Sequence, residues 1–184
     1  MAKTNQIIVN PILGDKLKFL ITSEDSNGEV LRCEMWLKPL AQGPPLHYHP
    51  FQTEGFEVIN GKLGIEDDGK KMTIGPGENY TIQKNSAHKW YNAGEEDLHM
   101  IAEIKPALKF EFFLESMYSL AHQGKVKKNG LPGTLQFAAI LNECPDELYV
   151  VGPPIAAQKF MAKVIGGFAK LIGYKGFVPY SKNN

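Results

Sequence analysis

Between about residues 15 and 105 the chain is broken by turn residues every roughly eight to twelve positions, and this spacing constrains the fold more than any other feature. The clearest segment is "VLRCEMWLK". In it Leu31, Cys33, Met35 and Leu37 share one face, and Arg32, Glu34, Trp36 and Lys38 share the other. A period of two marks a half-buried strand. "GFEVING" and "KLGIED" read as two strands joined in a tight hairpin through Asn60-Gly61. Further strands are expected in "DDGKKMTI", "GPGENYTI", "SAHKWYNAG" and "LHMIAEIK". Many short strands at this interval close into a sandwich or a barrel. The 18 glycines and 12 prolines of the 184-residue chain supply the turns.

At Pro106 the texture changes. "ALKFEFFLESMYSLAHQG" carries apolar residues at helical spacing and stops at Gly124, a C-terminal capping residue. "GTLQFAAILNE" reads as a second helix, and "PIAAQKFMAKVIGGFAKLIGY" as a third. In the third, Met161, Val164, Ile165, Phe168, Leu171 and Ile172 fall on one face, with Lys159, Lys163 and Lys170 elsewhere around it. A basic amphipathic helix can lie on a membrane surface. The expected arrangement is instead a helix packed on its own domain with its lysines in water. The reading is therefore a β-barrel domain over 1–105 and a C-terminal helical extension over 106–184, packed on the barrel.

Composition narrows the partners. Twenty basic and twenty acidic residues balance without long runs of either sign, which argues against nucleic acid. Cys33 and Cys144 stand alone and match no zinc pattern, so a reducing compartment is expected. The opening "MAKTNQIIVNPILGDKLKF" lacks an apolar core of signal-peptide length, and no later segment is apolar enough to span a bilayer. A cytoplasmic protein without a membrane partner is the expectation.

Chemistry concentrates in "GPPLHYHPFQTEGFEVINGKLGI". Residues two apart on a strand point the same way, so His47 and His49 form a pair of nitrogen donors. Glu54 follows five positions later and would face the opposite way on an unbroken strand, so a bend between Pro50 and Thr53 has to restore its direction. A further imidazole, His88, lies in "SAHKWYN" and shares parity with Trp90 and Asn92. Three imidazoles and a carboxylate suit iron, manganese, nickel, copper or zinc. Four protein ligands leave open positions on an octahedral ion, as a reactive centre requires.

These two stretches resemble the motifs of the cupin superfamily. The first motif is matched at His47, His49, Glu54 and Gly61, with Ala41 where a leading glycine is usual and Gly43 two residues too close to His47. The second is matched at Gly77, His88 and Asn92 within "GENYTIQKNSAHKWYN", with Gln83 and Asn85 in place of the usual Pro and Gly. Asn tolerates a left-handed backbone, so Asn85 can replace a turn glycine. The resemblance implies an all-β fold: a small antiparallel barrel of the double-stranded β-helix or jelly-roll kind. It would hold one divalent transition metal on His47, His49, Glu54 and His88, and would pair into a homodimer through sheet edges.

Met35, Phe56, Trp90 and Asn92 are the candidate pocket residues, and Glu54 is the candidate catalytic base. Cys33 reads as a small buried hydrophobe, and His99 and His122 as surface or structural residues. Three functions stay open at this point. They are a quercetinase-like dioxygenase acting on a small organic molecule, a small-ligand-binding cupin without catalysis, and a sugar isomerase or epimerase.

Overall fold

Alternating side chains can cover a core only if two sheets face each other, and that is what these strands build. The structure is a computed structural model describing residues 2–181; residue 1 and residues 182–184, at the outer ends of the two expected domains, lie outside the described residues. In chain order the strands are β1 (Ile7–Asn10), β2 (Asp15–Ile21), β3 (Leu31–Leu37), β4 (His47–Tyr48), β5 (Thr53–Asn60), β6 (Leu63–Asp67), β7 (Lys70–Ile74), β8 (Asn79–Ile82), β9 (His88–Asn92) and β10 (Leu98–Lys105). After them come α1 (Phe110–His122), α2 (Thr134–Glu143), the short β11 (Tyr149–Val150), α3 (Ile155–Phe160), a π-helical turn (Met161–Ile165) and α4 (Gly166–Leu171).

One sheet has the order β1-β2-β3-β10-β5-β8 and the other β11-β4-β9-β6-β7, and the pairings are antiparallel. Register stacks the inward residues of the first sheet in rows. Leu31, Ile104, Glu54 and Ile82 form one row, then Cys33, Ala102, Phe56 and Tyr80, then Met35, Met100 and Val58. On the second sheet the corresponding rows hold His47 and His88, then Trp90 and Ile65, then Asn92 and Leu63. Glu54 is thus the one acid in an apolar row. It lies across from the histidines because the chain crosses between sheets at 49–52, outside any strand, where the bend was expected.

The Asn60-Gly61 turn is not the expected hairpin. β5 and β6 lie in different sheets, and the dipeptide is the corner between them. Gly61 has φ +88°, and a Cβ there would come within 2.9 Å of Asp97 O and Leu98 Cα. Asn-Gly signals left-handed backbone, and a corner uses that as well as a hairpin does. The tight hairpin of this sheet joins β6 to β7 through Asp68 and Gly69, both at positive φ. The β1–β2 hairpin was not expected, although Lys16, Leu17, Lys18 and Phe19 of β2 alternate with Leu17 and Phe19 buried.

The extension is helical with one addition: β11 pairs with β4, so residues beyond 106 complete the second sheet. The segment before Ser181 binds α1 through Val178 N to Ser116 Oγ (3.1 Å), Ser119 Oγ to Pro179 O (2.9 Å) and Tyr180 N to Glu115 Oε1 (3.1 Å).

The third helix is continuous through its π-helical turn but packs with the opposite face from the one its large apolar residues suggest. Gly166 and Ala169 are buried, whereas Phe160, Val164, Phe168, Leu171 and Ile172 are exposed. A Cβ on Gly166 would lie 2.2 Å from Ala138 O and 2.8 Å from the Asn142 Cβ, so only glycine lets α4 approach α2 this closely. The helix packs on its own domain as expected, through Gly166, Ala169 and the half-buried Met161 and Ile165, while Val164, Phe168, Leu171 and Ile172 of the expected apolar face stay exposed. Gly166→Val should lower unfolding stability by about 1–3 kcal/mol through overpacking. Leu171→Ala should change it by less than about 0.5 kcal/mol, because Leu171 is 86 % exposed. Urea denaturation of the two variants checks both.

Candidate metal centre

Adjacent strands of the second sheet set the histidines side by side. His47 on β4 is the direct register partner of His88 on β9, and His49 follows just past the end of β4. Ring centroids are 4.3 Å apart for His47 and His88, 4.9 Å for His47 and His49, and 5.4 Å for His49 and His88. Glu54 reaches in from the facing sheet, its Oε2 2.8 Å from His88 Nε2 and 3.7 Å from His49 Nε2. One donor atom from each of the four residues lies within 4.8 Å of the others, and all four residues are buried.

The outer nitrogens decide what the inner ones can do. Nδ1 of His47 lies 2.9 Å from Pro45 O, Nδ1 of His49 2.6 Å from Glu147 O, and Nδ1 of His88 2.9 Å from Ser86 O. A carbonyl oxygen only accepts, so each Nδ1 carries the proton and donates it. Each Nε2 then presents a lone pair to the centre, the arrangement a metal-ligating imidazole has. Two of the turns that supply this support are themselves fixed. Asn85 has φ +66° and donates its backbone N–H to His49 O at 2.8 Å, and Ala87 N donates to Asp68 Oδ1 at 2.9 Å. The substitution of Asn for a turn glycine is therefore accommodated as its backbone tolerance suggests. The displaced glycine also has a use: a Cβ on Gly43 would sit 2.4 Å from Trp90 O.

Electrostatics demand a positive centre. Burial drives the His47 pKa down to about 3, so it is neutral at any physiological pH. Burial pushes the Glu54 carboxyl up, but its contacts with His49 and His88 and their charge outweigh this and hold it below the ordinary carboxylate range. Burial pulls His88 down, but the hydrogen bond and charge of Glu54 raise it above its ordinary value of 6.5. Without a metal, the cation facing Glu54 is therefore the proton on His88 Nε2. His49 Nε2 is buried with no hydrogen-bond partner among the described residues, a loss of about 1–3 kcal/mol unless a cation accepts its lone pair. The donor set fits one transition metal ion of the nitrogen- and oxygen-loving group, held by His47, His49, Glu54 and His88.

The extension closes this centre. Phe110, the first residue of α1, packs edge-on to His49 at 5.3 Å. Glu147, between α2 and β11, gives His49 its outer acceptor. Neither was expected: an acceptor on the backbone leaves no trace in side-chain identity, and Phe110 reads only as one apolar residue of a helix.

Of the candidate pocket residues, Phe56 and Trp90 occupy the row next to the metal ligands, their rings T-shaped at 5.7 Å. Trp90 Nε1 is buried without a partner among the described residues. Met35 falls one row further, level with Val58 and about 13 Å along the strand direction from Glu54, so it is core filling. Asn92 does not line the pocket. Its Nδ2 donates to Leu37 O (3.1 Å), Lys38 O (3.1 Å) and Glu96 O (2.7 Å), and its Oδ1 accepts from Gly94 N (2.8 Å), which ties two loops together. Cys33 is buried, with burial raising its thiol pKa far above the ordinary value. His99 sits on the outer face against Glu34 (2.8 Å) and stacked on Trp36, and His122 lies beside Tyr180.

The geometry defines a class first: a double-sheet barrel that gathers three imidazoles and a carboxylate from facing sheets into one buried cluster. Residues 34–103 match the family model described as the cupin domain, and they enclose all four donors. This stretch of the chain is a cupin domain.

Among curated relatives, the "probable oxidoreductase patJ" of Penicillium expansum is 30 % identical over 173 residues, covering 85 % of this chain and 51 % of that protein. The "probable oxidoreductase virH" of Hypocrea virens is 27 % identical over 181 residues, covering 88 % of this chain and 80 % of that protein. The chain spans about half the length of the patJ proteins it matches. Among solved structures, an RmlC-like cupin from Shewanella frigidimarina aligns with a TM-score of 0.49 and 18 % identity over 60 % of this chain and 92 % of that one.

Metal must displace the proton that Glu54 holds on His88. A raised folded-state value means the competing proton is bound below it and absent above it. Apparent metal affinity should therefore rise by up to about tenfold per pH unit below the His88 titration and flatten beyond it. The stability that the His88–Glu54 pair gives the metal-free protein runs the other way: fully present below 6.5, lost as pH rises through the raised value. Chelator competition and thermal melts across a pH series measure the two trends.

Proposed function

We propose that the protein is a metal-dependent oxidoreductase acting on a small, flat, apolar organic molecule bearing an enol or phenol hydroxyl, in the manner of a quercetinase-like dioxygenase. The observation that carries this is the cluster itself: four donors with every Nε2 turned inward, next to a row of aromatic and aliphatic side chains. When bound, a divalent transition metal supplies a Lewis acid that makes such a hydroxyl more acidic and leaves positions for a second reactant.

The chain's own residues do the rest. His47 is neutral and His49 is braced by Glu147 O, so both hold fixed positions. Glu54 is ionised and serves as a ligand. It becomes a base toward the substrate hydroxyl only where its contact with His88 is given up, because that contact is what keeps its basicity low. Phe56 and Trp90 give an aromatic wall beside the cluster, and the unpartnered indole N–H of Trp90 is a donor for a polar atom of the substrate. Phe110 excludes water from the His49 side. The oxidoreductase names of the relatives support redox chemistry over the other readings. An apolar neighbouring row gives a sugar few partners, which disfavours isomerase or epimerase activity.

The test is oxygen uptake by protein loaded in turn with iron, manganese, nickel and copper, against flavonols, β-diketones and related enols. Uptake with one substrate class is expected, lost in His88→Ala. In Trp90→Phe, which keeps the ring but removes the N–H, kcat/KM should fall about tenfold, mainly through KM. No uptake with any metal at full occupancy would overturn the proposal.

A further inference from the structure

The extension carries a surface that the metal centre does not use. Phe160, Val164, Phe168 and Leu171 follow one another at steps of four, four and three along the third helix, and all four are exposed, by 58, 51, 56 and 86 %. Ile155 (47 %), Ile172 (53 %) and Tyr174 (38 %) extend the patch at its ends. A step of four stays in line where the helix widens, and the π-helical turn Met161–Ile165 lies under the middle of this stripe. The stripe is opposite the buried Gly166 and Ala169, so the helix is pinned by its small residues and holds its large ones outward.

Charge selects the partner. From Leu148 to Ser181 the chain has four lysines, Lys159, Lys163, Lys170 and Lys175, and no acidic residue. Lys159 and Lys170 lean back toward Asp146 (3.6 Å) and Glu143 (2.9 Å) but keep 60 and 40 % of their side chains exposed. A second copy is a poor occupant. A two-fold contact sets a patch against itself, so lysines would face lysines with no carboxylate on the patch to offset them. An anionic lipid surface meets both needs, accepting the apolar stripe at the acyl boundary and the lysines among the head groups. Among the described residues no helix is long and apolar enough to cross a membrane, so a bilayer could meet this helix only at its surface.

We infer that the Ile155–Leu171 helix is a peripheral docking surface for membranes containing anionic lipid, a property independent of the proposed oxidoreductase chemistry. The experiment is flotation of the full chain with vesicles of phosphatidylcholine alone and of an equimolar mixture of phosphatidylcholine and phosphatidylglycerol. Binding to the mixed vesicles should exceed binding to the neutral ones by about tenfold or more and should weaken as salt is raised.

Phe160→Ser/Phe168→Ser/Leu171→Ser should reduce that binding by more than about tenfold while leaving the melting temperature and metal content unchanged, since these side chains are exposed. Lys163→Gln/Lys175→Gln should reduce it by about tenfold or more and flatten the salt dependence. Two outcomes overturn the inference. One is equal behaviour of the chain with both vesicle types. The other is sedimentation velocity showing a dimer that the triple variant converts to monomer, with no vesicle binding by the parent, which would assign the stripe to a second copy.

Discussion

The site depends on one buried carboxylate. Glu54 occupies a row otherwise filled by Leu31, Ile104 and Ile82, and a charge in such a place persists only when a cation faces it. The second sheet supplies that partner through three imidazoles whose outer N–H groups are each committed to a backbone carbonyl. Because those carbonyls come from three separate loops, at Pro45, Ser86 and Glu147, the whole barrel rim has to fold before the inner lone pairs point one way. Donor geometry and fold are therefore coupled through hydrogen bonds from the cluster to backbone carbonyls.

Much of this is legible in the sequence. Parity alone places His47 beside His49 and aligns His88 with Trp90, and the break at Pro50 forecasts a change of direction before Glu54. What parity cannot report is which sheet a strand joins. Asn60-Gly61 has the chemistry of a hairpin and serves as a corner, because φ above zero is all the dipeptide specifies. Parity also puts Met35 and Asn92 on the inner face without saying how far along it they lie. Register moves Met35 one row beyond Phe56 and Trp90, and the Asn92 amide is consumed by four backbone groups.

The extension was the least legible part, for a physical reason. Amphipathic periodicity finds the large apolar face of a helix and assumes that this face is the buried one. In the third helix the closest contact is made by Gly166 instead, since the absence of a side chain allows a backbone approach that no leucine could match. The same tail returns to the barrel through β11, and through it to His49 by way of Glu147 O. It is part of the metal site in one segment and an outward-facing surface a few residues later.

The extension and the barrel meet at β11. Val150 pairs with His47 in the β4–β11 ladder, and Gln158 on α3 bonds both to Val150 N (3.0 Å) and to Val150 O (2.9 Å). Gln158 thus fastens the start of the third helix to β11, whose neighbouring Val151 N donates to Leu46 O (2.9 Å) beside the strand that carries His47.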